Sequence, residues 1–174
     1  MRAVVVYESM YGNTHLVADA IAEGLREHGE VIVVSVDRAD GALVASADLV
    51  VVGGPTHAHG MSRAATRRAA AEAANKPGAS VEMDTEAVGI GLREWFETID
   101  DLDKDAAAFD TRFELPAALT GRASKGIARH LRHLRARLIV PPRELLRNEG
   151  EPPRARGRST SPRVGPPTRL RDRR

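Results

Sequence analysis

The sequence predicts a doubly wound α/β fold, a single open sheet of five parallel strands in the order 2-1-3-4-5 with helices on both faces. Three observations lead there. Short apolar runs rich in β-branched residues recur as Ala3-Val4-Val5-Val6-Tyr7, Val31-Ile32-Val33-Val34-Ser35-Val36 and Leu49-Val50-Val51-Val52, and they lack polar alternation, as strands covered on both faces require. A helical stripe separates the first run from the second, so strand, helix and strand form a parallel crossover unit. Turn residues gather where the first and third runs end, which in such a sheet is the edge that binds ligands.

Taken in order, the first strand gives way to a polar stretch and then to a helix whose stripe is Leu16, Val17, Ala20, Ile21 and Leu25, with Asp19, Glu23, Arg26 and Glu27 elsewhere. Gly29 supplies its stop. A linker joins the second strand to the third, which Gly53-Gly54-Pro55 ends. The Ala-rich stretch from Ser62 to Lys76 has high helix propensity and little large apolar surface, so it should lie lightly on the body. Val88, Leu92, Trp95, Phe96 and Ile99 follow helical spacing, which assigns Trp95 to the core, while Gly89 and Gly91 weaken the first turn. Ala106-Ala107-Ala108-Phe109-Asp110-Thr111 reads as the fourth strand, Ile127, Leu131 and Leu134 as a further helix, and Leu138-Ile139-Val140 before Pro141-Pro142 as the fifth strand.

The 174 residues and the 42% apolar fraction suit one domain with one core, and residues 1–150 carry all the patterning. Five of the ten prolines and eight arginines fall in residues 151–174, where no apolar period survives, so this tail is expected to be disordered. Its eight arginines face two acidic residues, an excess of +6. The chain totals +2, so residues 1–150 carry −4. The basic pI of 9.4 therefore belongs to the tail, and the body has no electrostatic case for nucleic acid. No apolar run approaches the ~20 residues needed to span a bilayer, and the N-terminus lacks the pattern of a signal peptide, so a cytoplasmic location without membrane attachment is expected. Without cysteine, thiolate chemistry and iron–sulfur ligation are out of reach, and redox work must fall to a bound cofactor.

The informative motif is Ser9-Met10-Tyr11-Gly12-Asn13-Thr14, placed between the first strand and first helix. Free amides at the helix start, its dipole and the Ser9 and Thr14 hydroxyls make a neutral cradle for a phosphate dianion. An ordinary helix cap by Asn13 or Thr14 is the competing reading. No Gly-Lys-Ser/Thr ending and no triplet of spaced glycines is present, which argues against a triphosphate or NAD. The second loop, Gly53-Gly54-Pro55-Thr56-His57-Ala58-His59-Gly60-Met61-Ser62, is long enough to wrap a flat ligand at the same sheet edge. Its His57-X-His59 pair has no third metal ligand beside it, so no metal is expected. The end of the third strand lacks the aspartate of a receiver domain, and no Gly-X-Ser-X-Gly elbow marks a hydrolase.

Together with Asp110-Thr111-Arg112 after the fourth strand, these loops resemble the flavodoxin family over residues 1–150, in the branch of small actinobacterial-type flavodoxin-domain proteins; the Ser-Met-Tyr-Gly core is also similar to NAD(P)H:quinone oxidoreductases of the same flavodoxin-like fold. The resemblance implies one FMN. Its phosphate would lie on Ser9, Met10, Tyr11, Gly12, Asn13 and Thr14, its ring and ribityl chain on Pro55, Thr56, His57, Ala58, His59 and Gly60, and a third contact would come from Asp110, Thr111 and Arg112. It implies electron transfer with a redox partner protein and no catalytic side chain. The alternatives are an NAD(P)H-dependent quinone oxidoreductase, with His57 or His59 donating a proton, and a degenerate domain without flavin. Two departures stand out. Aromatic content is 3%, low for a family that stacks rings on the flavin, and the tail occupies the place of the family's final helix, which is expected to be missing.

Overall fold

The computed structural model describes residues 1–57, 60–75, 84, 89–113, 121–147 and 154–155. The element order is β1 (Arg2–Tyr7), α1 (Asn13–Arg26), β2 (Glu30–Ser35), α2 (Gly41–Ala45), β3 (Leu49–Pro55), α3 (Ala64–Ala74), α4 (Leu92–Thr98), β4 (Asp105–Phe113), α5 (Ala123–His133), β5 (Arg137–Leu138), β6 (Arg143–Arg147) and β7 (Arg154–Ala155). One sheet runs β2-β1-β3-β4-β6-β7, and β5 also pairs with β4. The first four strands are parallel and stand in the expected order, with Val5 level with Val33 on one side and Val51 on the other, and Val51 level with Ala107.

Alternate residues of these strands feed opposite faces, as the two-residue period demands. Val4, Val6, Val50, Val52, Ala106 and Ala108 pack with Leu92, Trp95 and Phe96 of α4 and with Ile127 and Leu131 of α5. Ala3, Val5, Tyr7, Leu49, Val51 and Phe109 pack on the other face, against Val17, Ala18 and Ala22 of α1. Trp95 is fully inside and its indole N–H donates to the Ala39 carbonyl at 2.6 Å, so the core role read from its spacing holds. The lightly docked Ala-rich helix is α3, whose one buried residue is Ala70.

Four expectations need correction. The buried stripe of α1 is Thr14, Val17, Ala18 and Ala22, while Leu16 stands 61% exposed and Ala20 is exposed too; the helix is rotated so that its first-turn threonine faces the sheet. The linker between β2 and β3 holds the short helix α2, started by the Asp40 carboxylate, which accepts from the Leu43 amide at 2.7 Å. The fifth strand is split. Pro141 and Pro142 offer no N–H to the ladder, so β5 stops at Leu138, Ile139 and Val140 lie exposed, and β6 resumes pairing at Arg143 opposite Phe109. Finally, Arg154–Ala155, within the tail expected to lack structure, pairs antiparallel with Leu145 and Leu146. Among the described residues no helix follows β6; Val88 and the rest of the tail lie outside them.

Candidate functional site

The carboxyl ends of β1, β3 and β4 lie level. The Glu8 amide donates to the Gly53 carbonyl at 2.9 Å, the Val36 amide to the Tyr7 carbonyl at 2.9 Å, and the Thr56 amide to the Thr111 carbonyl at 2.9 Å. Beyond Tyr7 the chain turns through Ser9 to Gly12, the N-cap of α1, at φ +79°. A Cβ there would meet nothing within 4 Å, so the glycine is demanded by the left-handed backbone and not by crowding. Gly12 has no side chain to cap this helix start and no capping side chain is found among the described residues, which leaves the first amides for a ligand or solvent. Ser9 is buried and its Oγ has no hydrogen-bond partner among the described residues. An unmet hydroxyl beside an uncapped helix start, in a turn with no lysine or arginine, fits the oxygen of a bound anion.

The structure joins the first and third sequence-predicted segments directly. Thr14 and Thr111 are both buried and their Oγ1 atoms are 2.8 Å apart. Met10 is buried and its carbonyl accepts from the Asp84 amide at 2.8 Å, while Tyr11, Gly12 and Asn13 remain partly open. Pro55 ends β3 level with Thr111. In the second loop His57 and Gly60 exchange both backbone hydrogen bonds, at 2.8 and 2.9 Å, which closes the loop into a tight turn. Ala58 and His59 at its tip lie outside the described residues. Burial lowers the His57 pKa, with Glu8 opposing it, so the imidazole is held neutral at pH 7.

Other sequence-predicted residues have partners of their own. The Thr56 hydroxyl donates to Asp110 Oδ2 at 3.0 Å and accepts from the Ala123 amide at 2.9 Å, and Asp110 Oδ2 also accepts from the Ser124 amide at 2.7 Å. Asp110 on β4 and Thr56 just after β3 thus cap the start of α5. Burial raises the Asp110 pKa against these hydrogen bonds, and its Oδ1 has no partner. Arg112 is buried in the sheet, where its Nε and Nη2 donate to Glu144 Oε2 at 2.9 and 2.8 Å, and Arg122 reaches Glu144 Oε1 at 2.9 Å. Among the described residues no group of three or more His, Asp or Glu side chains is placed to hold a metal ion.

Sequence reasoning missed Glu8. Its buried carboxylate accepts from the Leu92 amide at 2.8 Å and from the Ser62 hydroxyl. Arg67 extends the brace, donating to Ser62 Oγ at 3.1 Å and to Glu94 at 3.0 Å, and Glu94 accepts from the Gly91 amide at 3.1 Å. The end of β1 is thereby fixed to the starts of α3 and α4. An acid placed immediately after an apolar strand, at the ligand-binding edge, was the available signal. Gly53 and Gly54 serve packing: a Cβ on Gly53 would stand 2.0 Å from the Phe109 ring, and one on Gly54 2.5 Å from Leu92.

The family described as "Flavodoxin" matches residues 5–115. No protein of curated function matches the sequence significantly. Among solved structures, a flavodoxin from the domain Archaea is 22% identical with a TM-score of 0.58, covering 85% of each chain. Oxidised Flavodoxin 1 from Bacillus cereus is 20% identical at a TM-score of 0.58, covering 84% of each, and a flavodoxin from Streptococcus pneumoniae is 18% identical at 0.56, covering 82% of each. At such identities the likeness speaks for the fold; the family match spans more than half of the chain, including the turn at residues 9–14 and the second loop, and by it this chain belongs to the flavodoxin family.

Proposed function

We propose that the chain holds one FMN non-covalently at the carboxyl ends of β1, β3 and β4 and acts as an electron carrier for a separate redox partner protein. The observation that carries this reading is the buried, unpartnered Ser9 hydroxyl beside the uncapped start of α1. A dianionic phosphate supplies the acceptors that this hydroxyl and the first helical amides lack, and the helix dipole favours it without a cation. Ser9, Tyr11, Gly12, Asn13 and Thr14 would hold the phosphate, and the loop from Pro55 to Gly60 would lie against the ring and ribityl chain. Bound FMN supplies the redox chemistry. The chain's own residues bind and orient: Thr14 and Thr111 tie the start of α1 to the end of β4, Glu8 braces the starts of α3 and α4, and neutral His57 offers a hydrogen bond without adding charge.

The test is the absorption spectrum of the freshly purified protein with analysis of the extracted flavin. A yellow protein releasing FMN supports the reading. A protein that emerges colourless and stays so after incubation with excess FMN overturns it.

A further inference from the structure

Of the helices, α5 carries a charge pattern that neither the core nor the crevice uses. Lys125, Arg129, Arg132 and His133 are exposed and recur at spacings that place them on one face. Among the described residues none of them forms an ion pair, whereas the neighbouring cations do: Arg122 with Glu144 at 2.9 Å, Arg135 with Asp101 at 3.3 Å and Arg137 with Asp105 at 2.6 Å. The stripe continues to Arg93 on α4. That guanidinium donates to the backbone carbonyls of Ser62 at 3.0 Å and Met61 at 3.3 and 3.4 Å, and no ion pair to it is found among the described residues. Its Nη2 comes within 3.8 Å of where a Cβ on Gly60 would stand, so Arg93 sits at the second crevice loop. His130 of α5 stacks on Phe96, and its pKa is lowered by burial first and then by the positive charge of Arg93 and its α5 neighbours, with Glu97 opposing. The start of α5 is itself pinned to the crevice by Asp110 and Thr56.

We propose that this basic stripe, from Arg93 at the crevice edge along α5, is the docking surface for an acidic redox partner protein. The inference rests on the proposed function and names the kind of partner that function needs. Unpaired cations on a body whose first 150 residues carry −4 form a local patch of opposite sign, which steers and orients an acidic protein while the rest of that body repels it. That same net charge disfavours a nucleic-acid backbone, which would meet an acidic body around a narrow patch.

The test is a titration of the isotope-labelled full chain with an oxidised plant-type ferredoxin as the acidic probe at about 0.1 M ionic strength, following amide shifts and Kd. FMN content is read first by absorbance. Two variants each remove three positive charges: K125Q/R129Q/R132Q on the stripe, and R2Q/R26Q/R38Q on β1, α1 and the turn after β2. The shifts are expected on α5 and around Arg93, and the stripe variant should weaken binding about tenfold or more while the distant variant stays within about twofold. Equal losses in both variants, shifts confined elsewhere, no binding, or a short DNA duplex binding more tightly than ferredoxin would each overturn the docking surface. A coloured protein that fails this titration refutes the docking alone, whereas a colourless one that takes up no added FMN refutes the proposed function.

Discussion

Replacing Ser9 with alanine should move stability and ligand affinity in opposite directions. In the ligand-free chain Ser9 Oγ is buried without a partner, and an unpaired buried hydroxyl costs about 1–3 kcal/mol in proteins. Removing it leaves only a small void, because alanine keeps the Cβ. The net expectation is a gain of about 1 kcal/mol, or about 2–4 °C in Tm for a chain of this size. With FMN present the sign reverses. A hydrogen bond to a charged group is worth about 1.5–3 kcal/mol, so its loss should raise Kd for FMN by about tenfold to a hundredfold. Thermal unfolding of the flavin-free protein and quenching of FMN fluorescence on titration read the two effects separately. A variant that is less stable when empty and binds FMN as the parent does would show that Ser9 is a packing residue, and the assignment of the cradle would be refuted.

Two further substitutions probe the frame that positions the site. Gly53→Ala puts a methyl group 2.0 Å from the buried Phe109 ring, so the ring or β3 must move; a loss of about 1–3 kcal/mol or more in urea unfolding is expected, and an unchanged midpoint would mean the two strands separate easily there. Asp110→Asn addresses pH. Burial raises the Asp110 pKa, so the folded chain holds this proton more tightly than the unfolded one, and the stability it contributes is full below the unfolded pKa and lost as pH rises through the folded value. The Asn variant should gain in Tm relative to the parent between about pH 4 and pH 7, and a difference independent of pH would show that the carboxyl ionises as freely in the fold as outside it.

What was legible in the sequence is what depends on local pattern. The strands β1 and β3 are covered on both faces and so are written as unbroken β-branched runs, and Trp95 and Phe96 lie on a helical stripe that points them inward. The orientation of α1 was misread because Ala18, Ala20 and Ala22 carry almost no signal of their own, and the sheet selects among them. The strand β6 was invisible because Arg143, Glu144 and Arg147 look solvated; Glu144 enters the sheet only because Arg112 and Arg122 neutralise it. Partners distant in sequence likewise decide the candidate site. Thr56 and Asp110 resemble ligand residues in one dimension, and in the fold the Thr56 hydroxyl and Asp110 Oδ2 also hold the start of α5, while Glu8 acquires meaning only when Ser62 and Leu92 arrive beside it. The turn, the glycine and the helix start within residues 9–14 could be read because they are local matters.

FMN and riboflavin share the ring and the ribityl chain and differ in the terminal phosphate, so their relative affinities for the flavin-free protein isolate the cradle. With two or more charge-assisted hydrogen bonds from the Ser9 hydroxyl and the first amides of α1, FMN should bind at least about a hundredfold more tightly in calorimetric titrations. Equal affinities for the two would mean that the start of α1 grips no phosphate, and the account would fail at its foundation.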